Sequence, residues 1–309
     1  MDVDATVEAI KSMEIRGAGK IARAGASALA DFAGSYKGDD IEAFRRDLAV
    51  AKDKVLGSRP TAVSLWNGVH ATLKGADGCR TVKETTDLII ANAKAFNESS
   101  VNAVKFIGEI GAKRIQDGDV ILTHCNSSAA LSVIKTAFRQ GKKFRVYATE
   151  SRPWRQGILT VNELAKEGID VTLIIDSAVR SVMKYVTKVF VGADTITSHG
   201  TLINKIGTSQ VALAANEARV QVYVCSETYK FSPMTLFGDM VTIEERDHAE
   251  VIGNAKLEPG VKIFNPVFDS TPSKYIDAII TEVGMIAPGS VYHVMTSQLG
   301  DEIFKLIGE

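Results

Sequence analysis

The chain has 309 residues, 45% of them hydrophobic and 24% charged, which excludes a disordered polymer and allows about two domains at roughly 150 residues each. The 36 Lys and Arg against 37 Asp and Glu leave a formal charge of -1, so no global field recruits nucleic acid. Three scattered cysteines, Cys79, Cys125 and Cys225, exclude a disulfide framework and fit a reducing compartment.

The start, Met1-Asp2-Val3-Asp4, is acidic and lacks an apolar signal core, so a cytoplasmic protein is expected. No run of about 18 apolar residues predicts a membrane span. The first 115 or so residues read as helices. Ile41, Phe44, Leu48, Ala51 and Val55 fall on one helical face, with Asp39 or Asp40 as cap. Alanine-rich 19–33 and the stretches 61–73 and 81–114 continue the pattern, with a break or new start expected at Ser99 and Ser100. From Gln116-Asp117-Gly118 the pattern changes. Val120-Ile121-Leu122-Thr123 predicts a strand, and a serine-capped helix after it ends at Gly141. Further strands are expected at 144–148, 171–175, 188–192, 220–224 and 276–281, mostly separated by helices. That alternation predicts an α/β fold: a helical domain at 1–115, then a Rossmann-like domain at 116–309 with a mostly parallel sheet. The apolar stretch 284–298, with Met285, Ile286, Val291, Tyr292, Val294 and Met295, suits core or interface.

Ligands of open α/β sheets sit beyond the carboxyl ends of the strands, and unusual clusters fall there. His124-Cys125-Asn126-Ser127-Ser128-Ala129 places a cysteine ahead of a helix N-terminus, where the dipole favours thiolate and free N–H groups receive phosphate. The structural alternative is a buried cysteine beside an ordinary serine cap. Gly192-Ala193-Asp194 offers a carboxylate for acid–base work; alone, it would be a turn cap. Gly200, Asn204, Lys205, Gly207 and Thr208 form a polar, glycine-bearing loop, with Lys205 placed to meet an anion or fix the carboxylate. Arg16-Gly17-Ala18-Gly19-Lys20 permits close backbone approach but lacks the full phosphate-loop spacing, and Arg59-Pro60 alone is a surface arginine before a helix. Residues 150–157 and Asn265-Pro266-Val267-Phe268-Asp269-Ser270-Thr271-Pro272 read as loops, the second rigid. Glu244-Glu245-Arg246-Asp247 reads as a solvated face. The five histidines form no H-x-x-x-H pair, arguing against zinc. Neither a G-x-S-x-G elbow nor a G-x-G-x-x-G after the first strand is present.

Taken in order, these clusters resemble the sugar-1-phosphate isomerases related to the regulatory subunits of the eukaryotic translation-initiation exchange factor. The pieces are Arg16-Gly17-Ala18, His124-Cys125-Asn126, Glu150-Ser151-Arg152-Pro153, Gly192-Ala193-Asp194, Asn204-Lys205-Ile206-Gly207-Thr208 and Asn265-Pro266-Val267-Phe268-Asp269. They span almost the whole chain. The resemblance implies N-terminal helices before a Rossmann-like sheet. It implies an aldose–ketose isomerase, an intramolecular oxidoreductase needing no metal and no organic cofactor. The archaeal branch that fits turns α-D-ribose 1,5-bisphosphate into D-ribulose 1,5-bisphosphate, in AMP and nucleoside salvage feeding a carboxylase. Cys125 would be the base at carbon 2 and Asp194 the acid. Arg16, Gly17, Ala18, Gly19, Arg59, Ser127, Ser128, Ala129, Asn204, Lys205 and Lys230 would bind the sugar bisphosphate. The implied assembly is a homo-oligomer, a dimer or a hexamer built from dimers, with neither nucleic acid nor membrane as partner.

Two alternatives stay open. Methylthioribose-1-phosphate isomerases continue their cysteine motif Asn-Ala-Gly, where this chain has Asn126-Ser127-Ser128. A thioether wants an apolar pocket, whereas a second phosphate wants the hydroxyl donors and cations found here. Non-catalytic regulatory subunits do not maintain the cysteine and aspartate as a pair; both are present here.

Overall fold

The computed structural model describes residues 1–238 and 240–299. The chain forms two compact units, Met1–Ala103 and the remainder from Val104. The first is helical throughout: α1 (Val3–Lys11), α2 (Ala18–Ser35), α3 (Ile41–Gly57), α4 (Val63–Leu73) and the first turns of α5 (Val82–Ala112). Asp40 is the cap of α3, its carboxylate accepting from the backbone N–H groups of Glu42 and Ala43. The predicted face follows: Phe44, Leu48, Ala51 and Val55 are buried against Ile21 and Leu29 of α2, Leu65 and Val69 of α4, and Ile89 of α5. Gly25 lets α2 and α4 meet closely, since a Cβ there would lie 2.5 Å from Leu65 Cδ1.

The break expected at Ser99 and Ser100 does not occur, because α5 runs through both. Ser100 is buried and accepts from Arg23 Nη1 at 2.9 Å, so its hydroxyl serves packing rather than capping. The units divide inside this helix, after Ala103, ahead of the sequence boundary at 115. Helical periodicity cannot show which core successive turns join. Ile107 and Ala112 pack with the second unit's core.

In that unit the chain runs β1 (Val120–Thr123), α6 (Ser128–Arg139), β2 (Arg145–Thr149), α7 (Gly157–Lys166), β3 (Asp170–Ile174), α8 (Val179–Val182), β4 (Lys188–Val191), β5 (Thr195–Thr197), β6 (Leu202–Lys205), α9 (Thr208–Glu217), β7 (Gln221–Cys225), β8 (Phe231–Ser232), α10 (Ala249–Ile252), β9 (Phe268–Thr271), β10 (Ala278–Thr281), β11 (Gly284–Ile286) and α11 (Val291–Leu299). Seven strands form one sheet in the order β11-β10-β7-β4-β1-β2-β3. All neighbours are parallel except β11 on β10. Both faces are covered, as a parallel sheet requires. Ile121, Val146 and Phe190 face α6 and α7 through Ile134 and Leu164. Leu122, Val189 and Val224 face the opposite way, toward Val211, Ala215, Val291 and Met295. Within the stretch expected to be core or interface, Val291 and Met295 are core, while Met285 and Tyr292 are exposed.

A second sheet, β8-β5-β6-β9, was not expected. It is built from segments read as loops: Asn204 and Lys205 end β6, which pairs antiparallel with β9 of the proline-flanked segment. Each strand has only two to four residues, too few to show an alternating pattern.

The strand order fixes where a ligand can sit. From β1 the chain builds outward to β2 and β3, then crosses to place β4 on the other side of β1. The carboxyl ends of β1 and β4 therefore flank a topological switch point, the usual ligand crevice of such sheets.

Candidate active site

The loop after β1 carries Cys125 and the loop after β4 carries Asp194. The two loops touch at Gly192, where a Cβ would lie 2.3 Å from Ser127 Oγ. Cys125 adopts a left-handed backbone (φ 66°), uncommon for a residue with a side chain. It is held there by one neighbouring segment. Its N–H donates to Ser151 Oγ at 2.8 Å, its carbonyl accepts from Thr160 Oγ1 at 2.7 Å, and its Sγ–H donates to Gln156 Oε1 at 3.1 Å. Asn126 reinforces the arrangement by donating to Thr160 Oγ1.

The segment 151–157 is itself fixed. Asp176, after β3, accepts from the N–H groups of Ser151 and Arg152, each at 2.8 Å. Trp154 Nε1 donates to Glu250 Oε2 at 2.7 Å, Arg246 Nε donates to Glu250 Oε1 at 2.8 Å, and the Arg246 guanidinium lies 5.1 Å from the Trp154 ring centre. Arg246 was expected on a solvated face. It is half-buried instead, because a cation over an indole and a shared carboxylate outweigh full hydration.

His124 is buried and neutral. Ile206 O can only accept, so His124 Nε2 carries the proton and donates at 2.8 Å, while Nδ1 accepts from Thr149 Oγ1 at 2.6 Å. Burial lowers its pKa. Gly207 makes room for the ring: its φ is 101°, and a Cβ would meet His124 Cε1 at 2.9 Å.

The expected thiolate is not the resting form. Burial pushes the Cys125 thiol up to about 11. The positive charge of Lys205 pulls it down, and the charges of Asp194 and Asp176 push it up. Desolvation outweighs the helix N-terminus on which the sequence argument rested. Asp194 is half-buried, and its N–H donates to Ile203 O at 3.0 Å. Asn204 is buried and donates to Thr208 Oγ1 at 3.0 Å. Lys205 places its ammonium 5.2 Å from the Phe268 ring centre.

Asp269, treated in the sequence as part of a rigid loop, holds this strand end in place. Opposite Asn204 in the β6–β9 register, it accepts from Gly207 N–H at 2.7 Å and from Ser209 N–H at 3.1 Å, closing the N-terminus of α9. Burial raises its pKa to about 6, and the backbone hydrogen bonds oppose that rise. The folded carboxyl thus holds its proton more tightly than an exposed one. Its contribution to stability is full below pH ~4 and is lost as the pH rises through about 6. Denaturation titrations at pH 4.5 and pH 7 should show this component in the wild type and lose it in Asp269→Asn.

Ser127 caps α6, its Oγ accepting from Ala130 N–H at 3.3 Å; Ser128 starts the helix and is exposed, and Ala129 is buried. Lys230 follows β7, the strand next to β4. Its ammonium is buried 2.7 Å from Glu227 Oε2, and Glu227 Oε1 accepts from Tyr229. In the first unit, Gly17 caps α2 with a φ of 91°, a conformation that favours glycine; exposed Arg16 precedes it, and Ala18 and Gly19 form the first turn. Ser64 Oγ donates to Ala18 O at 3.0 Å, so α4 begins beside the start of α2, and half-buried Arg59 lies in the loop leading into α4. Two helix N-termini thus lie side by side in that unit.

Gln156 and Asp269 escaped the sequence reading as site residues. Gln156 lies within the 150–157 loop, and nothing in its spacing shows an amide against a thiol. Among the described residues, no three His, Cys, Asp or Glu side chains gather as a metal site, and no helix is long and apolar enough to cross a membrane.

The chain is 54% identical over 293 residues to the ribose 1,5-bisphosphate isomerase of Archaeoglobus fulgidus, covering 95% of this chain and 92% of that protein. It is 50% identical over 295 residues to the enzyme of that name from Methanocaldococcus jannaschii, covering 96% and 94%. Its fold matches the crystal structure of the Pyrococcus horikoshii translation initiation factor eIF-2B with a TM-score of 0.80 and 34% identity, over 93% of this chain and 97% of that one. A sequence profile of the Initiation factor 2 subunit family matches residues 14–288. The motifs from Arg16 to Asp269 lie within the matched residues, and the chain belongs to the Initiation factor 2 subunit family.

Proposed function

We propose that the protein is an aldose–ketose isomerase that converts α-D-ribose 1,5-bisphosphate into D-ribulose 1,5-bisphosphate, with Cys125 as base and Asp194 as acid. The observation that carries this reading is the close approach, at the β1–β4 switch point, of the two loops that bear Cys125 and Asp194, where Gly192 packs on Ser127. The names and identities of the archaeal relatives support the substrate.

A phosphate on carbon 1 prevents the sugar from opening as a free hemiacetal does. The protonated carboxyl of Asp194 gives its proton to the ring oxygen as the bond from that oxygen to carbon 1 breaks. Cys125, its thiol proton first lost to a buffer base in bulk water, takes the proton from carbon 2 as a thiolate, leaving an enol across carbons 1 and 2. Cys125 then returns that proton to carbon 1, and Asp194 recovers one from the carbon-2 hydroxyl as the ketone forms. Both groups end as they began. The positive charge of Lys205 favours the thiolate, and Asn204 is available to the sugar hydroxyls. Ser127, Ser128 and Ala129 at the α6 N-terminus, with Lys230, form the phosphate-binding set of this unit. Arg16, Gly17, Ala18, Gly19 and Arg59 form that of the helical unit. On the same reading the enzyme works in the cytoplasm as a homo-oligomer, which light scattering on the purified protein tests.

The polar serines of the α6 cap favour a phosphate over a thioether. Rates measured side by side on ribose 1,5-bisphosphate and methylthioribose 1-phosphate should favour the bisphosphate strongly. Preference for methylthioribose 1-phosphate would replace this reading with that isomerisation. Silence on both from folded protein would replace it with a regulatory role.

A further inference from the structure

Cys125 is anchored at three points by one stretch of chain. Ser151, Gln156 and Thr160 take its N–H, its thiol proton and its carbonyl respectively. Ser151 and Thr160 meet only the backbone of Cys125 and fix its left-handed turn. Gln156 hydrogen-bonds the sulfur itself. We propose that Gln156 is a positioning residue that serves both protonation states of Cys125: its amide oxygen accepts from the thiol, and the amide, turned about its terminal bond, donates an N–H to the thiolate. The inference rests on reading Cys125 as the base.

The chemistry follows from the side chain. A primary amide carries an acceptor oxygen and donor N–H groups on one carbon, so a half-turn exchanges them at the same place. A carboxylate there could only accept, and a lysine could only donate. On ionisation the thiol proton passes to a buffer base in bulk water, the sulfur keeps the electron pair, and the amide turns to meet the new charge. An N–H bond to an ion is stronger than a thiol's bond to a neutral oxygen, so the exchange favours thiolate.

The other groups around the sulfur cannot substitute. His124 is neutral, with both ring nitrogens committed to Thr149 and Ile206. Asp176 is held by two backbone N–H groups, and a charge on it or on Asp194 opposes the thiolate. Lys205 assists through its charge. The Gln156 backbone is fixed independently of its amide, its carbonyl accepting from Leu159 N–H at 3.1 Å and Thr160 N–H at 3.4 Å. The side chain can therefore turn without moving the loop.

The test is the pH dependence of iodoacetamide alkylation at Cys125, read by mass spectrometry of its peptide in wild type and Gln156→Leu; Cys79 and Cys225 are buried. The expected result is a rise of about one unit in the apparent thiol pKa, a tenfold loss of thiolate at fixed pH. A matching fall in kcat with little change in KM is expected on ribose 1,5-bisphosphate. An apparent pKa that is unchanged or lowered in folded Gln156→Leu would overturn the proposal, because an amide that merely holds the thiol would release a more acidic sulfur when removed. Gln156→Met, of similar length, serves if the leucine variant does not fold. Alkylation needs no turnover, so turnover retained by Cys125→Ala would sink the base assignment and leave this readout intact.

Discussion

Cys125→Ala and Asp194→Asn are each expected to lower kcat on ribose 1,5-bisphosphate by roughly 10²–10⁴-fold, the usual contribution of a positioned acid or base. KM should change little, since neither group is assigned to phosphate binding. The folds should survive. Cys125 is held mainly through its backbone, by Ser151 and Thr160, and asparagine keeps the shape of aspartate. Steady-state kinetics beside thermal melts separate the two effects. Turnover within tenfold of wild type in either variant would remove that residue from the mechanism. The double variant should lose little beyond the worse single one, because one proton cycle passes through both groups.

Gly157→Ala should have the largest effect on stability, at least about 3 kcal/mol. A Cβ at residue 157 would lie 1.7 Å from Thr149 O and 3.0 Å from Glu150 Cα. Both are backbone atoms, so no side chain can swing aside. The start of α7 would have to separate from the end of β2. That shift displaces Gln156 on one side and Thr149, the partner of His124, on the other. Chemical denaturation should show the loss. A folded Gly157→Ala with wild-type midpoint and activity would contradict the packing described here.

The parts of the fold visible in the sequence are those in which one physical pattern repeats. The face from Ile41 to Val55 turns inward as its spacing demands, and the apolar runs at Val120–Thr123, Lys188–Val191 and Ala278–Thr281 become central strands because both their sides are covered. The small sheet stayed hidden because its strands are too short to repeat anything. Ser99 and Ser100 misled because a serine that caps a helix and one that packs inside it look alike in sequence. At the site, residue types were legible in Cys125, Asp194 and Lys205, and the strand ends in the first two. The protonation of Cys125 was not: the helix N-terminus is local and visible, whereas the desolvation that outweighs it comes from residues distant in the chain. Gln156 and Asp269 were hidden for the same reason, since their roles are partnerships across the fold.

The central claim is that the β1–β4 switch point moves a proton from carbon 2 of a bound sugar bisphosphate. Proton NMR of the wild-type protein with α-D-ribose 1,5-bisphosphate, beside Cys125→Ala at equal concentration, tests it most directly. The account predicts that wild type removes the carbon-2 proton signal as ribulose 1,5-bisphosphate appears, and that the variant leaves the aldose spectrum intact over the same period. Unchanged aldose with folded wild-type protein, or equal conversion by the variant, would contradict it.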